Sequence, residues 1–278
     1  MRTSIKSLMI ISIVIFSSTL FAAERKIENG GQNGTLNETL NGTSVMEKVL
    51  LSFYYQGNDQ SANAHMAIID KQGRKRIREF NILRLNIDHG AGKQKYYVYF
   101  KKPSDVKKLT FMAWKNVTQD DDRWLYLPAL DLVKRIAASD ERTSFVGSHF
   151  YYEDVSGRSL SEDSHKLVEE TDTFYKLEST PNNTESVLFS HYQTWVDKKT
   201  FLPIKINYYQ NDLLYRQYQT LKTAEIQGHA TIVKAQMEDK RSAGKTVIEY
   251  SAVKYDRNIP EKIFSERFLR KAPKKYLK

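Results

Sequence analysis

Residues that commonly carry metal or nucleophile chemistry are sparse in this chain, and their spacing matches no known reactive motif. The chain has six histidines and no cysteine among 278 residues. No histidine has a second histidine three or four positions away, so no zinc-type spacing such as H-E-x-x-H occurs. The absence of cysteine excludes thiolate metal sites, iron–sulfur centres, disulfides and cysteine nucleophiles. The sequence therefore predicts no metal site and no cofactor.

The glycine-rich and acidic segments also give no good evidence of a phosphate-binding or catalytic site. Residues 242–246 read SAGKT, like the end of a phosphate-binding loop, but Asp239 occupies the position of its first glycine. The residues that follow have a strand-like pattern, whereas phosphate is held at a helix N-terminus, so this segment predicts a hairpin turn. Adjacent carboxylates such as Glu169 and Glu170 point to opposite faces of a strand and do not form an obvious acid–base pair. The sequence favours a protein that is not an enzyme.

The N-terminus predicts export. Residues 1–23 place Arg2 and Lys6 before a short apolar run and a small-residue end at Ala22 and Ala23, the order of a cleaved signal peptide. Removing those two cations lowers the net charge from +10 to about +8. Residues 24–43, rich in Gly, Asn and Thr, predict a flexible tether. The lack of cysteine excludes a lipid anchor on the chain itself.

The elements beyond residue 44 predict one mainly β domain, 44–278. Ser44 and Glu47 have capping-box spacing, and apolar residues at intervals of three and four predict a helix over 44–56. After it the apolar period falls to two, with turn residues between short segments, which indicates antiparallel hairpins. A short helix is expected over 260–269. The stretch 128–160 lacks alternation and predicts a looped or helical excursion. The twelve predicted strands are 63–70, 75–87, 95–101, 108–115, 123–127, 165–171, 173–179, 187–197, 203–209, 213–222, 231–239 and 245–255.

Several strands carry bulky side chains on both faces, as in YYVYF at 96–100. An ordinary half-buried sheet has one polar face. The pattern therefore suits either a sandwich core or a curved sheet whose concave side encloses a cavity covered by helices. Basic residues cluster at 71–78, 101–108 and 270–278. These clusters form either a solvated rim or a surface attracted to anionic headgroups or an acidic membrane partner, and export disfavours nucleic acid.

Motifs in the middle and C-terminal parts of the chain resemble the bacterial LolA-like outer membrane lipoprotein-sorting family. They occur in the family's order and cover most of residues 45–270. One departure is His149, where the family usually has Asp. The resemblance rests on KPSDVK (102–107), RWLYLPA (123–129), VKRI (133–136), SD (139–140), SFVGS (144–148), FYYED (150–154), ESTP (178–181), WVD (195–197), LPI (202–204) and FSERFL (264–269).

The resemblance implies a single-domain, incomplete antiparallel β-barrel whose concave face is covered by helices around an apolar cavity for acyl chains. It further implies a monomer in the periplasm of a Gram-negative bacterium, in peripheral contact with membranes. There it would pass lipid or lipoprotein outward beside an inner-membrane exporter of the resistance-nodulation-division (RND) class. The candidate cavity and lid residues are Val49, Phe53, Phe100, Phe111, Trp114, Trp124, Tyr126, Phe145, Phe150, Trp195, Ile206 and Tyr208. Arg123, Arg135 and Arg142 are candidates for contacts with a headgroup or the exporter.

Two other functions stay open at the level of sequence. The chain could be an accessory subunit that docks on the exporter and regulates it without carrying lipid. It could also be a hydrolase of envelope lipids, although that requires a nucleophile and a base brought together from distant parts of the sequence.

Overall fold

The computed structural model describes residues 40–88, 90–137 and 140–277. The predicted signal peptide and most of the predicted tether lie outside the described residues. The first described element is helix α1, Gly42–Tyr54, which begins inside the segment predicted as tether. Its capping box starts at Asn41, whose side chain accepts from the Ser44 N–H while the Ser44 hydroxyl accepts from the Asn41 N–H. Ser44 therefore closes the box and does not open it.

A 13-stranded antiparallel sheet forms the body of the described chain, which confirms the predicted incomplete β-barrel. Its order is β6-β5-β4-β3-β2-β1-β13-β12-β11-β10-β9-β8-β7, so every pair of adjacent strands is consecutive in the chain except β1 and β13. The strands are β1 (Asp59–Ile69), β2 (Lys75–Asn86), β3 (Gln94–Lys102), β4 (Thr110–Lys115), β5 (Asp122–Leu127), β6 (Leu132–Ile136), β7 (Asp163–Glu170), β8 (Phe174–Pro181), β9 (His191–Asp197), β10 (Pro203–Gln210), β11 (Leu213–Ile226), β12 (His229–Asp239) and β13 (Gly244–Tyr255).

The two edge strands, β6 and β7, are consecutive in the chain, so the barrel is open at a single place. The segment between them, 137–162, covers most of the excursion predicted over 128–160, whose first part contains β6 instead. We keep the name excursion for 137–162, which carries the four-residue helix α2, Glu153–Ser156. Strand β6 itself was not expected. Only Ile136 of its five residues is buried, so the strand has no alternating pattern that a sequence could display.

Both faces of the sheet are covered at β2–β4, which explains the bulky residues on both sides of strands such as β3. Helix α1 and the excursion lie on the concave face, where Phe53, Phe145 and Val155 join its apolar cluster. The C-terminal segment packs on the convex face of β2–β4, where Phe264 lies against Tyr97 and Met112 in a separate cluster. In place of the single helix predicted over 260–269, this segment has a 3₁₀ turn, Glu261–Ile263, and helix α3, Glu266–Arg270.

Candidate ligand cavity

A cavity of about 160 Å³ lies between the concave face of the sheet, α1 and the excursion. Its walls are mainly aliphatic and aromatic. A cavity of about 150 Å³ with apolar walls accommodates one benzene molecule, so this one has room for roughly six to eight heavy atoms. Its apolar wall includes Met66, Phe80, Ile82, Val98, Leu202, Tyr218, Ile232, Ala235, Met237 and Ile248.

Five of the residues predicted from sequence line this cavity together. They are Phe53 of α1, Phe145 and Phe150 of the excursion, and Ile206 and Tyr208 of β10. Val49, one helical turn before Phe53, lines a smaller neighbouring cavity of about 60 Å³. Phe53, Ile206 and Tyr208 line both cavities, so the two spaces share a wall under α1.

Phe100 and Phe111 lie behind the cavity wall. Both are fully buried, and their ring centroids lie 5.9 and 5.6 Å from that of Phe145. They are not among the residues that line either cavity. Their position supports Phe145, and through it the part of the excursion that covers the cavity.

The remaining predicted aromatic residues lie on the other face of the sheet. Trp114, Trp124 and Tyr126 pack in the convex cluster, and the Trp114 indole donates to the Phe264 carbonyl at 3.0 Å. Trp195 lies on β9 with the ammonium groups of Lys176 and Lys205 over its ring. All four alternate along their strands with inward-facing residues. Residue type alone does not reveal which of two apolar faces a strand residue occupies.

The three predicted arginines are engaged in ion pairs within the chain. Arg123, which is 3% exposed, contacts Glu141 at 2.5 Å and Asp121 at 2.8 Å. Arg142 bridges Glu141 and Glu153. Exposed Arg135 pairs with Asp122. Arg123 and Arg142 therefore hold the excursion against β5, and neither presents a free guanidinium to solvent.

The ion pairs continue across the opening of the barrel. Glu153 also pairs with Arg158 at 3.1 Å, and Arg158 pairs with Asp163 of β7 at 2.8 Å. The chain of charges thus runs from β5 through the excursion to β7. Beside it, buried Lys115 donates to the carbonyls of Ser156, Gly157 and Arg158 at the end of α2. Burial lowers the pKa of the Lys115 ammonium to about 8.

A second buried ion pair lies at the base of the excursion. Asp154 of α2 pairs with Arg216 of β11, whose guanidinium stacks on the rings of Tyr151 and Tyr208 at 3.9 and 4.9 Å. Burial raises the pKa of the Asp154 carboxyl, and the positive charge of Arg216 opposes that shift. Because Asp154 and Tyr208 line the cavity, this pair anchors its wall.

The residue that departs from the family pattern, His149, fixes the excursion to β13. Its backbone N–H donates to the Thr246 hydroxyl at 3.0 Å, and its ring Nδ1 lies 2.8 Å from the same oxygen. Its ring packs on Gly244, where a Cβ atom would lie 2.5 Å from Nε2. The SAGKT segment is a hairpin turn between β12 and β13, as the sequence predicts, and its glycine and threonine receive His149.

Polar residues in the cavity wall were not predicted from the sequence. Tyr96, Arg84, Gln60 and Tyr255 lie directly opposite one another on β3, β2, β1 and β13. All four line the cavity, and together we call them the polar row. Strand register brings these four residues together, although neighbours in the row lie between 12 and 195 residues apart in the chain, so no local motif could have revealed them.

No described helix is long and apolar enough to cross a membrane. Among residues 40–88, 90–137 and 140–277, no group of three or more His, Asp or Glu side chains is arranged to hold a metal ion. The arrangement is that of a mostly apolar compartment with one polar row, covered by a helix and a loop.

Comparisons with known proteins agree with this fold. No curated protein sequence matches the chain. A DUF1329 family protein from Desulfovibrio piger is 27% identical with a TM-score of 0.74, over 81% of this chain and 97% of that one. An outer membrane lipoprotein-sorting protein domain from Vibrio parahaemolyticus is 22% identical with a TM-score of 0.76, over 82% and 98%. A LolA superfamily protein from Nitrosomonas europaea is 20% identical with a TM-score of 0.64, over 82% and 99%.

A model of a family described as "Uncharacterized protein"-like matches residues 92–271, more than half of the chain. The match extends from the end of the β2–β3 connection to the C-terminal segment on the convex face. The chain therefore belongs to this family, and its fold is that of the LolA-like outer membrane lipoprotein-sorting proteins.

Proposed function

We propose that this protein is a carrier that binds an acyl chain of a lipid or lipoprotein in its concave cavity. The observation that supports this proposal most is the cavity itself, an apolar space between the sheet, α1 and the excursion. The name of the similar structure from Vibrio parahaemolyticus, which refers to lipoprotein sorting, points in the same direction.

Binding by such a cavity is driven by removal of the chain from water. Each CH₂ group transferred contributes about 0.8 kcal/mol, so a chain of ~16 carbons gains ample free energy from burial. The cavity of about 160 Å³ holds only part of such a chain. Uptake therefore requires α1 or the excursion to move outward. The cost of that opening limits affinity and permits release.

The setting of this activity is proposed from the N-terminal sequence and the family resemblance. The signal-type segment at residues 1–23 supports export to the periplasm, where a monomeric carrier would receive its cargo beside an RND-class exporter and pass it toward the outer membrane.

A cavity-filling substitution tests carrier function directly. Ala235 is 2% exposed and lines the cavity, so Ala235→Phe places a ring in the space that the chain would occupy. We expect 1-decanol, a neutral single-chain ligand, to bind the wild-type protein in calorimetric titration and to bind Ala235→Phe at least about tenfold more weakly, a difference of ~1.4 kcal/mol.

Ala67→Phe is the matched control, because Ala67 of β1 points away from the cavity. It should bind 1-decanol like the wild type. Equal binding by a folded Ala235→Phe variant, or no binding of either 1-decanol or the anion decanoate by the wild-type protein, would contradict the proposal. Far-ultraviolet circular dichroism verifies that each variant keeps the β fold.

A further inference from the structure

The polar row contains a buried cation without an anionic partner. Arg84 is 3% exposed, and no carboxylate of the described chain lies within ion-pair distance of its guanidinium. Two of its five N–H groups donate to the backbone carbonyls of Tyr54 and Gln56, and its Nε is buried without any partner. An uncompensated buried charge is costly, and carbonyl dipoles offset only part of that cost.

The charges around Arg84 do not neutralise it. Asp59 lies next to Gln60 on β1, but its carboxylate accepts from the backbone N–H groups of Arg257 and Ile259, both at 2.9 Å. Asp154, the acidic residue of the cavity wall, is already paired with Arg216. Arg84 is therefore the one unmatched full charge in the described cavity wall.

The neighbours of Arg84 are suited to a polar head group. The Gln60 side chain makes no hydrogen bond within the described residues and lies directly opposite Arg84 across the β1–β2 pair. On the other flank of Gln60, the Tyr255 hydroxyl lies 2.8 Å from the Thr231 hydroxyl, which also lines the cavity. The Tyr96 hydroxyl likewise has a partner, since it donates to the Gln94 side chain at 2.8 Å. The polar row thus offers a cation and a free amide at one level of the concave face, flanked by hydroxyl groups that are bonded within the protein.

The next rows of residues that face the cavity from the same strands are apolar. Val98, Ile82 and Ala62 line the cavity two residues further along β3, β2 and β1, and Phe80 and Met66 lie beyond them. The cavity therefore has a polar end and an apolar end, in the order of the head and tail of an amphipathic molecule.

From this juxtaposition we infer that the cavity binds a single-chain anionic lipid, with its carboxylate or phosphate against Arg84 and Gln60 and its chain between α1 and the apolar levels of the sheet. A charged oxygen would accept from the Arg84 N–H groups that the two carbonyls leave free, the Nε–H among them, and from the Gln60 amide. The inference rests on the proposed carrier function and names the class of ligand: an acid, and not a neutral ester or alcohol.

The test compares two ligands of equal chain length. We expect decanoate to bind the wild-type protein about tenfold or more tightly than 1-decanol at pH 8, because a hydrogen bond to a charged group is stronger than one to a hydroxyl. Decyl phosphate is the third ligand: preference for it over decanoate assigns a phosphate head, and the reverse assigns a carboxylate. Equal binding of all three would overturn the inference while leaving carrier function intact. Binding of none would overturn both.

Two variants separate recognition from folding. Arg84→Met should remove the preference for decanoate and retain binding of 1-decanol, whereas Arg84→Lys should keep part of the preference. If Arg84→Met does not fold, Gln60→Glu provides the test in its place, because it puts a carboxylate opposite Arg84. It should weaken the binding of decanoate at least about tenfold without weakening the binding of 1-decanol. Gln236→Glu is the matched control: it adds the same charge on the convex face and should change the affinity for neither decanoate nor 1-decanol. A folded Arg84→Met or Gln60→Glu variant that still prefers decanoate would overturn the inference.

Discussion

At the scale of single residues, the pair Asp154–Arg216 shows how the cavity wall is fixed. Arg216 is 2% exposed in its side chain, and its stacking on two tyrosines leaves its charge no route to solvent. Asp154→Ala would leave that charge buried and unpaired. We expect the substitution to lower the free energy of unfolding by about 3–5 kcal/mol in urea denaturation.

The double variant Asp154→Ala/Arg216→Met checks the reason for that loss. Removing both charges should cost less than the sum of the two single substitutions, because neither charge is then left alone. The exposed pair Lys234–Glu249 provides the control, since Glu249→Ala should change stability by only about 0–1 kcal/mol. A small loss for Asp154→Ala, like that of the control, would show that the buried pair does not hold the wall.

Residue type was enough to place some site residues and not others. Phe53 was predicted as a lid residue on an amphipathic helix and Phe145 as a cavity-wall residue, and both line the cavity. Trp114 and Trp195 were expected in the cavity because they are large and lie on strands. Both faces of these strands carry buried or half-buried side chains, so the size of a side chain did not distinguish the concave face from the convex face. Arg84 could not be found at all, because its significance depends on which strands neighbour β2.

At the scale of elements, the excursion substitutes for the missing β6–β7 pairing. It crosses the opening of the barrel, and Glu141, Arg142, Glu153 and Arg158 link it to β5 on one side and β7 on the other. Closure therefore depends on side-chain ion pairs rather than on a ladder of backbone hydrogen bonds. Such a closure can open while the sheet stays intact, as a carrier requires.

Glu153→Gln tests this role of the ion pairs, because Glu153 contacts Arg142 at 3.0 Å and Arg158 at 3.1 Å. We expect amide hydrogen exchange in residues 140–158 to become about tenfold faster, while exchange in β8–β13 stays unchanged. Glu249→Gln, which removes an exposed charge from β13, should leave both regions as they are. Faster exchange throughout the sheet would mean that the network supports the whole fold and not the closure alone.

The sequence predicted most elements well, because alternation over five to fourteen residues identifies a strand whatever its neighbours. Its errors occurred where tertiary contacts decide. Helix α1 begins at Gly42, two residues before the predicted range, because the Asn41 side chain caps it by accepting from the Ser44 N–H. Strand β6 forms because β5 offers a partner edge, although its own residues are mostly exposed.

At the scale of the whole molecule, the two faces of one long sheet have different roles. The convex face packs on the C-terminal segment and supplies a conventional core. The concave face is covered by elements that leave a space of about 160 Å³. The chain has 17 tyrosines, and tyrosine suits either face of the sheet, since a phenol ring packs against apolar groups while its hydroxyl makes a hydrogen bond. Tyr97 does this on the convex face and Tyr255 on the concave face.

Native mass spectrometry of the protein released gently from its own host tests carrier function most directly. We expect the wild-type protein to carry one acyl-chain lipid per molecule and Ala235→Phe to have the mass of the bare chain. Bare-chain mass for the wild type in repeated preparations, together with no uptake of added decanoate or 1-decanol, would contradict the assignment of the concave cavity as an acyl-chain site.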